Sequence, residues 1–245
     1  DAVITYVNGM EPKWRYLAAK NNALDNFAIR FYDYGTLRFV LRGISEHMKF
    51  IDRVFLVVSS LEQVPEYVND NVIIITHDMF IPEEYLPTFN SCTIECFLWN
   101  IPGLSEEFIF FNDDMIPIGH LEKEDFFRDG LTCLDFVDNK TISNGFNNIL
   151  TTVNNLANDF YQENDLSPFL RPHHIMTPFL KSEYFKNYDL IKDHVEHFVG
   201  KKREGFQISQ YYFTNCSYYQ NKFIRHTPEF IYLTTHCNGD EFIKR

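Results

Sequence analysis

Phe108-Ile109-Phe110-Phe111-Asn112-Asp113-Asp114 is the stretch that decides how this chain folds. An apolar run this short, stopped abruptly by three turn-favouring polar residues, reads as a strand buried on both faces. The same pattern recurs upstream. Ala2–Val7 is apolar and β-branched and ends at Asn8-Gly9, Val54–Val58 ends at Ser59-Ser60, and Val72–Thr76 is another such run. Helical spacing separates them: Lys13–Leu24, then Thr36–Met48 with Leu37, Val40, Leu41 and Ile44 on one face, then Thr93–Ile101. Strands apolar on both faces that alternate with helices predict an α/β fold, a mostly parallel sheet flanked by helices. Ligands of such sheets bind beyond the carboxyl ends of the strands. Asn8-Gly9, Ser59-Ser60 and Asn112-Asp113-Asp114 are therefore expected to line one cleft.

Downstream the pattern changes. Residues 138–165 are rich in Asn and Asp, with Ile149, Val153, Leu156 and Phe160 at helical spacing. Ser182–Asn187 and Phe206–Phe213 also read as helices, so 138–215 is expected to be a largely helical insertion. Phe230–Thr234 reads as a late strand ending at His236-Cys237-Asn238-Gly239-Asp240. A chain of 245 residues fits a single catalytic domain spanning 1–245.

The charge balance narrows the partners. Thirty-four Asp and Glu against 22 Lys and Arg give a net charge of −12, which repels nucleic acid and anionic lipid. A phosphorylated ligand would need arginines, backbone N–H groups or a divalent cation to offset that field. Twenty-five Phe and 14 Tyr supply enough ring area for a core and for a substrate cleft. The five cysteines are odd in number and form no C-x-x-C, so they read as reduced thiols of a cytosolic protein and speak against zinc. No apolar run is long enough for a membrane span. A first residue of Asp1 rather than Met reads as a processed or trimmed chain.

Each candidate residue has two readings. Asp113 and Asp114 could hold Mg²⁺ or Mn²⁺ against diphosphate oxygens, or form a solvated turn. His173-His174, in a loop bounded by Pro172 and Pro178, offers a histidine that could be a general base or a phosphate contact, or a surface or packing residue. Glu95 could act on a proton or complement a helix dipole. Arg38 and Arg42 share a helix face and could clamp phosphate or face solvent, and Arg203 beside Lys201 and Lys202 carries the same ambiguity. Asn238-Gly239-Asp240 ends the expected late strand and by itself reads as a plain turn. P-loop, G-x-G-x-x-G and serine nucleophile-elbow motifs are absent from the sequence.

Together these residues fall into an order that resembles the Stealth family of sugar-phosphate transferases. The family's first block corresponds to Asp1-Ala2-Val3-Ile4-Thr5-Tyr6-Val7-Asn8-Gly9, with Tyr6 where the family has Trp. The second includes Arg30, Asp33, Gly35 to Arg42, Thr76-His77-Asp78, Leu86 to Ser91, Ile94-Glu95 and Ile101 to Ser105, and ends at Asn112-Asp113-Asp114. His174-Ile175-Met176 before Pro178, with Gln207 beyond, resembles the third, and Cys237-Asn238-Gly239-Asp240 the fourth, departing from it at Gly239.

The resemblance implies a Rossmann-like sheet of the glycosyltransferase-A kind. It also implies transfer of a hexose-1-phosphate, expected to be N-acetylhexosamine-1-phosphate, from a UDP-linked nucleotide-sugar donor to a hydroxyl of an oligo- or polysaccharide acceptor. Asp1, Tyr6, Val7, Asn8, Gly9, Asn90 and Asn112 are then expected at the substrate. Asp113, Asp114 and Asp240 would hold Mg²⁺ or Mn²⁺, Arg38, Arg42 and Arg203 would bind phosphate, and His174 or Glu95 would take the acceptor's proton. The expected compartment is the cytoplasm, with a peripheral place at the inner face of the membrane as the alternative. Two rivals stand beside this reading: a metal-dependent glycosyltransferase that releases nucleoside diphosphate, and a non-catalytic carbohydrate-binding domain.

Overall fold

A computed structural model describes residues 1–24, 31–138, 146–161 and 170–231. The central sheet contains β1 (Ala2–Thr5), β2 (Val54–Val58), β3 (Val72–Thr76) and β4 (Glu107–Asn112), and its strand order is β3-β2-β1-β4 followed by β9 (Thr177–Leu180). The first four are mutually parallel, with Ala2 opposite Val54 and Ile109. β9 runs antiparallel to β4 and pairs Pro178 with Ile109. Proline has no N–H for a second ladder, and β9 lies at the sheet edge, where that lack is tolerated.

Alternation along the strands divides the interior in two. Val3, Phe55, Val57, Phe108 and Phe110 face one core, which contains Phe97, Tyr184, Tyr212 and Phe213. Ala2, Ile4, Leu56, Val58, Ile109 and Phe111 face the other, which α2 (Leu37–His47) covers with Leu37, Val40 and Ile44. The sheet is thus apolar on both faces, as its uninterrupted runs predicted.

The helices depart from expectation at their ends. α1 is Pro12–Lys20 rather than Lys13–Leu24: Pro12 occupies the first turn, and Glu11 caps the helix by accepting the N–H groups of Lys13 and Trp14. The helix expected over Thr93–Ile101 is a short α3, Ser91–Cys96, followed by a 3₁₀ turn at Leu98–Asn100. The 138–215 region is not wholly helical. α4 (Phe146–Tyr161), α5 (Lys181–Asp189) and the 3₁₀ segment Lys192–His197 are interrupted by β8 (Leu170–Pro172) and β9.

Beside them, β5 (Phe127–Arg128), β6 (Leu131–Leu134) and β10 (Phe223–Arg225) form a three-stranded sheet, and β7 (Phe136–Asp138) pairs with β8. The helix expected at Phe206–Phe213 begins only at Tyr211, as α6 (Tyr211–Tyr219). Phe230 and Ile231 are not in a strand, and the rest of the expected late strand lies outside the described residues. No described helix is long and apolar enough to cross a membrane.

Candidate active site

A cleft of about 350 Å³ opens at the carboxyl edge of the parallel strands. Its wall includes Thr5, Tyr6 and Val7 after β1, Ser59 after β2, His77 after β3, and Asn112, Asp113 and Asp114 after β4. The insertion closes the opposite side with His174, Arg203, Ser209, Gln210 and Tyr211. Residues far apart in sequence therefore meet where a parallel sheet directs its loops.

Asn112 ends β4, and a turn closed by the Met115 N–H on the Asn112 carbonyl at 3.2 Å carries the two aspartates into the cleft. Burial pushes the Asp113 carboxyl up to about 7, with the charges of Asp114 and Asp33 adding to the shift. Negative charge is thus crowded against low-dielectric protein, an arrangement that a divalent cation would relieve. Oxygen donors of this kind suit Mg²⁺ or Mn²⁺. Asp240 lies outside the described residues. The three-ligand grouping His194, Glu196 and His197 lies on the exposed 3₁₀ segment, apart from the cleft lining.

His174 sits in the bend between β8 and β9, exposed to the cleft. Its Nδ1 lies 3.0 Å from the Tyr211 hydroxyl, and its Nε2 lies 3.4 Å from Asn112 Nδ2. Desolvation by the surrounding protein holds the imidazole below its ordinary pKa, with Arg171 adding to the effect and Asp114 opposing it. A neutral imidazole at pH 7 can accept a proton. His173 points elsewhere: its Nε2 lies 3.6 Å from Asp135, and its ring meets Phe230 at 4.7 Å.

Glu95 is 7 % exposed, and its Oε2 accepts the Gln210 backbone N–H at 2.8 Å. Burial raises its carboxyl against the opposing influence of that N–H, Arg203 and Ser91. Arg203 donates to Ser91 Oγ and keeps its guanidinium at the cleft wall. Cys92, also in the lining, is pushed up to about 12 by burial, so it stays a thiol rather than a nucleophilic thiolate at neutral pH.

Other expected residues fall outside the lining. Asp1 lies at the amino end of β1, the opposite edge of the sheet. Its carboxylate accepts from Arg53 at 3.0 and 2.8 Å and from the Ser105 N–H at 2.8 Å, so it braces the scaffold outside the cleft lining. Asn90 is 1 % exposed and caps α3. Its Nδ2 donates to Gln207 Oε1 at 2.9 Å and to the Gly200 carbonyl at 3.1 Å, which anchors the segment carrying Arg203.

The Asn8 N–H donates to Gln63 Oε1 at 2.6 Å, and a Cβ on Gly9 would fall 2.5 Å from the Phe31 carbonyl oxygen, so Asn8-Gly9 shapes the turn behind the cleft. Arg38 and Arg42 are exposed on α2, and the Arg38 guanidinium lies 5.2 Å from the centroid of the Tyr67 ring. Ser209, Gln210 and Tyr211 were missed. Ser209 and Gln210 come just before α6 and Tyr211 opens it, inside a run whose spacing looks uniformly helical, so a single sequence carries no signal for them.

The family model described as Stealth protein CR2, conserved region 2, matches residues 30–134. An exopolysaccharide phosphotransferase, cps2G of Lactiplantibacillus plantarum, is 39 % identical over 137 residues, covering 54 % of this chain and 40 % of that protein. The capsular polysaccharide phosphotransferase cps12A of Actinobacillus pleuropneumoniae is 31 % identical over 204 residues, 75 % of this chain and 54 % of its own length. The capsular polysaccharide phosphotransferase fcs1 of Haemophilus influenzae is 29 % identical over 257 residues, 95 % of this chain and 68 % of its own length. The chain spans about half the length of the relatives it matches.

Proposed function

The chain belongs to the Stealth family, and from that premise we propose that it is the catalytic domain of a polysaccharide phosphotransferase. In this reading it moves a hexose-1-phosphate, N-acetylhexosamine-1-phosphate being the preferred case, from a UDP-linked sugar to a hydroxyl of an oligo- or polysaccharide. The acceptor oxygen attacks the phosphorus bonded to the sugar's anomeric oxygen. The bond from that phosphorus to the bridging oxygen breaks, and a nucleoside monophosphate leaves. The new linkage is a phosphodiester. The fold is read as Rossmann-like, of the glycosyltransferase-A kind, and the reaction is assigned to the cytoplasm, with the inner face of the membrane as the alternative place.

The observation that carries this reading is the convergence of Asn112-Asp113-Asp114, His174, Arg203 and Glu95 on one cleft. Phosphoryl transfer relies on positioning and electrostatics, and these groups supply both. His174 Nε2 takes the hydroxyl proton as the oxygen attacks. Arg203 donates charge-assisted hydrogen bonds to phosphate oxygens. Tyr6 and Val7 border the donor's nucleoside. Asp113 and Asp114, with Asp240, would hold Mg²⁺ or Mn²⁺, which supplies neutralisation of the diphosphate charge when bound. Glu95 is cast as a carboxylic acid that fixes the wall, leaving His174 as the base.

The test is to incubate the protein and a polysaccharide acceptor with a panel of nucleotide-sugars and to identify the released nucleotide. A nucleoside monophosphate supports the reading. A nucleoside diphosphate would make the chain a glycosyltransferase, and binding without turnover would make it a carbohydrate-binding domain.

A further inference from the structure

We propose that Tyr211 is a positioning residue that selects the tautomer of His174, accepting the Nδ1–H so that Nε2 turns its lone pair toward the cleft. This rests on the reading of His174 as the base. Tyr211 opens α6 and is 3 % exposed, and its hydroxyl lies 3.0 Å from His174 Nδ1. A neutral imidazole has one N–H and one acceptor nitrogen, and the partner of one nitrogen determines the state of the other. On the opposite side of the ring, Nε2 faces Asn112 Nδ2, which can only donate. A donor at Nε2 and a hydroxyl oxygen at Nδ1 are both satisfied by the form protonated at Nδ1. At 3.4 Å the Asn112 contact is long, so an incoming acceptor hydroxyl can displace it.

The mounting of Tyr211 fits this role. The Tyr211 N–H donates to Ser209 Oγ at 3.3 Å, and the preceding Gln210 N–H is held by Glu95 Oε2 at 2.8 Å. One turn of backbone is thereby pinned to α3, and the phenol projects from it to the histidine. The ring itself is buried in the same core as Phe110 and Phe213, so its position does not depend on the hydrogen bond it makes to His174.

The experiment is a long-range ¹H–¹⁵N correlation on protein labelled with ¹⁵N-histidine, recorded at pH 8 without substrate, with His174→Gln used to assign the resonances. Intact protein should show His174 protonated at Nδ1. Tyr211→Phe keeps the ring and removes the hydroxyl, and it should move His174 toward the Nε2–H form. Its turnover should fall about two- to tenfold, the value of one ordinary hydrogen bond, with donor affinity unchanged. Finding Nε2–H in the intact protein overturns the proposal, whether or not the variant folds. So does an unchanged tautomer in a folded Tyr211→Phe. The spectrum needs no turnover, so its failure is separable from failure of the reaction itself, which the released nucleotide reports.

Discussion

Glu95 Oε2 accepts the backbone N–H of Gln210 at 2.8 Å, and this buried contact ties α3 to the turn that begins α6. A carboxyl raised by burial, with one oxygen already committed, is suited to holding a wall more than to taking a proton. Glu95→Gln preserves an acceptor oxygen, so it should stay folded and keep turnover within about tenfold of wild type. Glu95→Ala strands the Gln210 N–H and should cost about 1–3 kcal/mol in urea unfolding. A loss of about 10²-fold or more in a folded Glu95→Gln would transfer the base role from His174 to Glu95.

The parts of the fold legible in the sequence were those with the strongest burial constraint. β1, β2 and β4 are covered on both faces and the edge strand β3 is covered in part, so each reads as an unbroken apolar run, and the polar residues that stop them mark the cleft edge. β5 to β8 and β10 are two to four residues long, too short to show a period. Around Phe206–Phe213 aromatic residues continue on both sides of the true helix start, which hid the turn that carries Gln210 and Tyr211. Asn90 and Asp1 were recognisable as notable residues, but polarity alone does not separate a buried cap or a scaffold ion pair from a side chain that lines the cleft. Only their partners do: Gln207 and Gly200 for Asn90, Arg53 for Asp1.

The arginines divide by placement. Arg203 lines the cleft beside Ser91, whereas Arg42 is exposed on α2 and absent from the lining. Arg203→Ala should lower turnover by about 10²-fold or more through loss of charge-assisted phosphate contacts, while thermal stability stays near wild type. Arg42→Ala should leave both within about twofold. Arg38, whose guanidinium lies over the Tyr67 ring, should fall between them. Equal losses at Arg203 and Arg42 would mean that a diffuse positive field, rather than one aimed guanidinium, binds the donor.

His77 gives the protein a dependence on acid. Burial lowers its pKa to about 4, and Nε2 has no hydrogen-bond partner. The unfolded chain, with an ordinary value near ~6.5, binds this proton first. Stability is therefore fully present above about pH 6.5 and falls as the pH drops towards 4, by up to roughly 3 kcal/mol from this group. His77→Phe should flatten that part of the stability–pH curve measured by urea unfolding. An unchanged slope between pH 6.5 and 4 would assign the acid sensitivity to other groups.

The aspartates predict how a cation should act. The Asp113 carboxyl is raised to about 7, so its ionisation in the folded protein costs stability as pH rises from the ordinary carboxylate range to neutrality. A divalent cation favours the ionised form and should raise the melting temperature more at pH 8 than at pH 6. Asp114→Asn should abolish that rise, and EDTA should abolish turnover. Without cation, Asp113→Asn should melt at a higher temperature than wild type at pH 8, by about 5 °C. An undiminished Mg²⁺ response in both variants would locate cation binding outside the cleft, with the exposed His194, Glu196 and His197 cluster the first place to look.

The neighbouring histidines provide an internal control for the proton transfer. His174 faces the cleft between Asn112 and Tyr211, and His173 turns away to Asp135 and Phe230. A base contributes about 10²–10⁴-fold to such a step, so His174→Ala should lose that much turnover while donor affinity changes little. His173→Ala removes a partly exposed contact with Asp135 and one ring contact. It should cost about 1 kcal/mol of stability and leave turnover within a few-fold. Single-turnover rates and donor affinities of both variants decide between them. Equal kinetic damage would mean that the bend between β8 and β9, rather than one imidazole, matters to the reaction. Damage at His173 alone would move the base to the Asp135 side and remove the basis for Tyr211 as its positioning partner.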